Sequence, residues 1–181
     1  MEKRLHLHIP TLPEMAYRQK LQEDPATMSY NAGYELGFEG YHNDTGCIDF
    51  PESKWAEDYA WLVGNEPRQF YAYVVRDEDG EFIGEVNVHC SREGDWYDMG
   101  IVIEAKYRGM GYSGEALRLL LDYAFTKLGV PEIHNDFEDT RSAAYKTHLA
   151  CGFREFGRKG GIILLRITRE EYLAHKKDAI S

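Results

Sequence analysis

Three glycines and an arginine crowd into seven residues, Arg108 to Gly114, within the run Tyr107-Arg-Gly-Met-Gly-Tyr-Ser-Gly-Glu115. Glycine lets a backbone approach a ligand closely. At the start of a helix such a run leaves unpaired N–H groups and the positive end of the helix dipole facing a ligand. Arg108 adds a permanent cation. The chemistry this suits is binding of a phosphate or pyrophosphate, with Arg108, Gly109, Met110, Gly111, Tyr112, Ser113 and Gly114 as candidate contacts. Gly109-x-Gly111-x-x-Gly114 also spells the dinucleotide fingerprint, and Asp136 follows about 20 residues on. Its place in the chain opposes that reading. It comes after an antiparallel meander rather than in a first βαβ unit, and only 181 − 138 = 43 residues follow Glu138. A Walker loop is excluded because no Gly-Lys-Ser/Thr follows.

The elements that must position this turn are readable from periodicity. Leu5 to Ile9 alternates as a half-buried strand, and Pro13 opens a helix to about Asp24. Met28 to Asp49 follows neither period. A loop of about 20 residues is uncommon in a compact domain and marks a lid or binding segment. Its Tyr30, Tyr34, Phe38 and Tyr41 either wall a pocket for a cation through their ring faces or plug the loop into the core. Pro51 to Gly64 reads as a second helix. Phe70 to Val75, Phe82 to His89 and Tyr97 to Glu104 form a meander, with a hairpin turn at Asp77-Glu-Asp-Gly80. Leu117, Leu120, Leu121, Ala124 and Leu128 mark a helix from Ser113 to Leu128, with Glu115, Arg118, Asp122 and Thr126 as its polar stripe. Ile133 to Glu138 is a strand, Thr140 to Cys151 a helix, and Phe153 to Phe156 and Ile162 to Thr168 two closing strands. The expectation is one α/β (α+β) domain over residues 1–181. It has a mixed central sheet of about seven strands, antiparallel meander first, flanked by about four helices.

With Met99-Gly-Ile-Val-Ile103, the glycine turn, Glu115-Ala-Leu117, Ala143-Ala144 and Cys151-Gly-Phe153 in this order, the chain resembles the GNAT superfamily of acetyl-CoA-dependent N-acetyltransferases. The resemblance spans about residues 70 to 168. It implies acetyl-CoA as cosubstrate, its pyrophosphate on the amides of the Arg108-x-x-Gly111-x-Ser113 turn. It also implies a strand splayed from its neighbour, so that Ile101, Val102 and Ile103 pair with pantetheine. The product would be an amide, formed by direct transfer to a primary amine of a small molecule or peptide. Three positions depart from the family, the first being Ser113, where the turn usually ends in Gly or Ala. His148 stands where a tyrosine acid is frequent, and Arg141 where an asparagine often bonds pantetheine. His148 is the first candidate for acid–base work, since an imidazole near pKa 6.5 suits either role. Tyr145, one helical turn earlier, is a second. Glu85, with Asp98 on the next strand, is a third. The family shapes acceptor specificity around Tyr30, Tyr34, Phe38 and Tyr41. A binding module that holds CoA without turnover is the alternative.

Composition bounds the partners. With 21 basic against 31 acidic residues the net charge is −10, which opposes non-specific nucleic-acid binding and favours a cationic acceptor. No apolar run reaches the roughly 20 residues of a membrane span. The charged start, with Glu2, Lys3 and Arg4, does not read as a signal segment. Three cysteines without a Cys-x-x-Cys pair fit a reducing cytoplasm. The histidines show no metal-ligand spacing, so no metal is expected. Trp55, Trp61 and Trp96 read as packing, Cys90 and Cys151 as buried thiols, Glu104 as a surface residue. The sheet edge in the last hairpin permits a homodimer.

Overall fold

The computed structural model describes residues 4–178. Seven strands form one sheet in the order β1-β2-β3-β4-β5-β7-β6. They are β1 (Leu5–His8), β2 (Gln69–Arg76), β3 (Phe82–Cys90), β4 (Tyr97–Ile103), β5 (Glu132–Glu138), β6 (Arg154–Lys159) and β7 (Ile162–Thr168). All neighbours are antiparallel except β4 and β5, whose parallel pairing consists of Tyr97↔Ile133 and Asp98↔His134. Beyond those pairs the two strands part. The helices are α1 (Met15–Gln22), the short α2 (Pro25–Met28), α3 (Glu52–Leu62), α4 (Tyr112–Tyr123), α5 (Ser142–Ala150) and α6 (Arg169–Asp178). The mixed seven-stranded sheet with its leading meander is as expected, with six helices where four were read.

Alternation along β2 explains how one strand serves two cores. Phe70, Ala72 and Val74 face the larger cluster, which holds Leu117, Leu120 and Leu121 of α4. Tyr71 and Tyr73 point the other way, to Met15 of α1 and to Phe50 and Leu62. A strand buried on both faces reads as a continuous apolar run. Strand β6 lies at the sheet's edge, carries Arg154, Glu155, Arg158 and Lys159, and shifts register between Glu155 and Gly157.

Several residues take places that the pattern did not indicate. Helix α6 is too polar to show an apolar stripe. It is announced instead by a reciprocal cap, in which Glu171 accepts from the Thr168 amide (2.8 Å) and donates its own amide to the Thr168 hydroxyl (3.2 Å). Tyr172 anchors it by stacking on Phe125. Glu104, read as a surface group, is buried with Lys20 at 3.2 Å. Trp61, read as packing, is 58% exposed, and Cys90 is only half-buried. Glu115 leaves the polar stripe of α4 and is buried. One of its oxygens accepts the amides of Arg4 (2.7 Å) and Leu5 (3.0 Å), and the other accepts Arg4 Nε (3.1 Å). A single carboxylate thus ties the start of β1 to the first turn of α4.

Glu115→Ala would leave the Leu5 amide buried without that partner, a loss of about 1–3 kcal/mol. Urea unfolding should show this loss, and Glu115→Gln, which keeps one acceptor, should lose less.

Candidate active site

Strand β4 leads through a turn at Ala105–Tyr107 into the glycine run. Gly109 (φ 78°) and Gly111 (φ 82°) both sit in the left-handed region, which costs any other L-residue roughly 1–2 kcal/mol. Gly111 directly precedes α4, and among the described residues no side chain caps that helix. Short α2, by contrast, has its amides at Ala26 and Thr27 taken by Asp24. The first N–H groups of α4 are therefore open to an anion.

A cavity of about 480 Å³ starts at this turn. It is lined by Arg108, Gly109, Gly111, Ser113 and Gly114, by Ile101, Val102 and Ile103 of β4, and by Ala143, Ala144, Thr147 and His148 around α5. Met110 and Tyr112 fall outside it. The Met110 side chain is exposed, and Tyr112 is buried beneath the Arg4 guanidinium, 4.6 Å from its ring centre. Arg108 is present but not as a free cation. Its Nε donates to the Ile103 carbonyl (3.1 Å), and its other nitrogens donate to the carbonyls of Thr27 (2.6 Å) and Ala26 (3.4 Å).

The parting of the strands exposes one edge of β4. Glu104 donates its amide to Ile83 of β3. By antiparallel alternation Val102 and Gly100 also face β3, while Ile101 and Ile103 turn their backbone groups toward the gap. This is the splay that the resemblance implied.

A second cavity, about 620 Å³, meets the first at Tyr30, Ile101, Val102, Arg141, Ala144 and His148. Its walls include Glu39, Asp49, Asp58, Glu85 and Asp136 against Arg18, Lys54 and Arg141. Burial, then repulsion from Asp98 and Glu138, pushes the Asp136 carboxyl up, and burial does the same to Asp58. Glu85 is 5% exposed and accepts from Arg18 (2.6 Å) and from the Tyr71 hydroxyl. Its oxygens are thus committed to an ion pair, not aimed freely at an acceptor.

His148 sits at the junction, 3% exposed. Its Nδ1 faces the Ala144 carbonyl (2.8 Å), which can only accept, so Nδ1 carries the proton. Nε2 then accepts from the Asn135 amide on β5 (2.9 Å). Burial holds the ring below the ordinary imidazole value, so His148 is neutral near pH 7. Tyr145 is not at the junction, because its hydroxyl donates to Glu155 of β6 at 2.9 Å. Of the loop aromatics, Tyr30 and Phe38 line the second cavity. Tyr34 and Tyr41 brace the loop instead, the Tyr41 hydroxyl lying between the carbonyls of Asn31 (2.5 Å) and Tyr34 (2.7 Å). The sequence reading missed Arg18 and Asn135. Arg18 and Glu85 are separated by 67 positions, and no local pattern joins them.

The model of the Acetyltransferase (GNAT) domain matches residues 4–154. Comparison with curated proteins finds no match. Among solved structures, the chain is similar to a spermidine N-acetyltransferase from Vibrio cholerae in complex with CoA and spermine. That likeness has TM-score 0.74 and 19% identity, covering 95% of this chain and 99% of the other. A GNAT-family acetyltransferase from Bacillus anthracis gives 0.69 at 17% identity, over 94% and 98%. A nucleotide-linked sugar GNAT gives 0.71 at 16%, over 98% and 94%. At such identities the likeness speaks for the fold.

Burial of His148 favours its neutral form in the folded protein. Below about 6.5 the unfolded chain binds the proton more readily than the folded one. The stability His148 contributes is therefore complete above that pH and declines as pH falls toward the folded value. The stability difference between wild type and His148→Gln, measured by urea unfolding from pH 7.5 to 5, should shrink as the solution is acidified.

Proposed function

Because the chain belongs to the GNAT acetyltransferase family, whose domain covers residues 4–154, we propose that it transfers acetyl from acetyl-CoA directly to a primary amine of a small molecule or peptide. The observation that carries this reading is the meeting of two cavities at Ile101, Val102 and His148, where β4 leaves β5. The uncapped start of α4 and the two left-handed glycines fit a diphosphate. A structural neighbour from Vibrio cholerae, a spermidine N-acetyltransferase in complex with CoA and spermine, supports pairing a CoA thioester with an amine acceptor.

Each part of the site then has a task. The thioester supplies an activated acyl carbon and a leaving thiolate. The amides of Gly111 to Gly114 hold the diphosphate, and the open edge of β4 holds the pantetheine arm. An alkyl ammonium has a pKa near 10 and must shed a proton before it attacks. Asp136 and Asp58 attract the cation, and the Arg18–Glu85 pair orients its surroundings. A C–N bond forms and the C–S bond breaks; the ammonium's first proton leaves to solvent, and the second, lost from nitrogen as the amide forms, ends on sulfur. The Ile101 and Ile103 amides on the open edge are the donors for the developing oxyanion. Neutral His148, through Nε2 once Asn135 yields it, moves the proton. Tyr145, held by Glu155, has no part in this.

CoA at about 100 times its dissociation constant should add roughly 2.7 kcal/mol of stability, seen as a raised Tm, and NAD should add nothing. The reverse pattern would overturn the reading. Thiol release from acetyl-CoA with a panel of amines tests turnover, and CoA binding without release would leave a binding module instead. His148→Ala should lower kcat by about 100-fold with little change in CoA affinity. A wild-type rate would retire His148 from proton handling.

A further inference from the structure

The two arginines that line the cofactor cavity both bond to one short piece of chain. Arg108 belongs to the turn between β4 and α4, one lip of that cavity. Its guanidinium binds the carbonyls of Thr27 and Ala26, at 2.6 and 3.4 Å. The Ala105 amide, from the same lip, donates to the Thr27 hydroxyl at 3.1 Å. Arg141 belongs to the turn between β5 and α5, the opposite lip. Its guanidinium donates to the Tyr30 carbonyl (3.0 Å), lies 4.9 Å above the Tyr30 ring, and is held by Glu138 at 2.5 Å. Residues 25–31 thus hang between the lips like a strap. The same residues face the second cavity, where Met28, Tyr30 and Asn31 form its wall.

From this geometry we infer that Arg108 and Arg141 are positioning residues, which suspend the acceptor-side wall at residues 25–31 from both lips of the cofactor cavity, so that filling one cavity orders the other. The inference rests on the proposed use of CoA. A ligand seated between the lips sets their separation, and a wall tied to both lips is set with them. The planar, forked guanidinium suits this work because it can stack on a ring and bond a carbonyl from one position, which an ammonium cannot. Ordering by the first ligand lowers the conformational cost of the second. By linkage the effect is mutual, so a bound amine tightens CoA by the same factor.

Amide hydrogen exchange with and without CoA tests this without needing the acceptor. In the wild type, CoA should slow exchange both in the turn 109–114 and in residues 26–31, the latter by about tenfold, within the usual range of site-to-site coupling. In Arg141→Ala the turn should still be protected by CoA, showing a folded, binding-competent protein, while the protection of 26–31 falls below about twofold. Arg141→Lys keeps the charge beside Glu138 but lacks the fork, and should behave as the alanine variant does. A merely structural role for Arg141 would speed exchange of 26–31 equally with and without CoA. That result overturns the inference, as does protection of the turn in the wild type with no change in 26–31. A wild-type turn left unprotected by CoA overturns the cofactor reading itself.

Discussion

Everything in the site follows from the short pairing of β4 with β5. Each strand is bound along its other side, β4 to β3 and β5 to β7, so neither can follow the other once they diverge after Asp98 and His134. Backbone groups left inside a protein need partners, and here one is supplied at once: the Ile103 carbonyl is taken by Arg108. The remaining groups on that edge are what an extended ligand with amides of its own can complete. The gap also joins the two cavities. An acyl carrier laid along β4 and an acceptor approaching past Glu85 would meet at the same residues.

Several polar groups around the gap are engaged with one another. Glu85 is fixed by Arg18 and Tyr71, and His148 by Ala144 and Asn135. A buried ion pair adds little net stability, because desolvation cancels much of the attraction. What such pairs do supply is orientation. The imidazole is held in one tautomer, and its Nε2 lone pair accepts from the Asn135 amide, which itself borders the second cavity.

Local features were legible and distant ones were not. The glycine turn and the meander could be read because each is set by residues adjacent in sequence. Left-handed glycines and alternating strands need no tertiary partner to be recognised. His148 stood out only because the resemblance puts a tyrosine acid at its position; its place where the two cavities meet depends on the packing of α5 against the sheet. The direction of the Arg108 side chain was not legible, since Ala26 and Thr27 lie 82 and 81 positions away. Tyr145 illustrates the same limit: one turn of helix separates it from His148, yet that offset suffices for Glu155 to claim its hydroxyl. Glu104 and Glu115 look solvated in any pattern of charge and hydropathy. Each is buried because a partner from the N-terminal region, Lys20 or Arg4, covers it.

The outermost strand bears on self-association. Strand β6 offers a free ladder of backbone groups, and unprotected ladders recruit other chains. Three of its charges are already matched within the chain, Arg158 to Glu155 and Arg154 to Glu171, and its irregularity at Glu155–Gly157 interrupts the straight row that a partner would need. Continuous sheet formation across two molecules would strip water from those pairs and straighten that kink. Charge and irregularity together thus guard this border against edge-to-edge pairing.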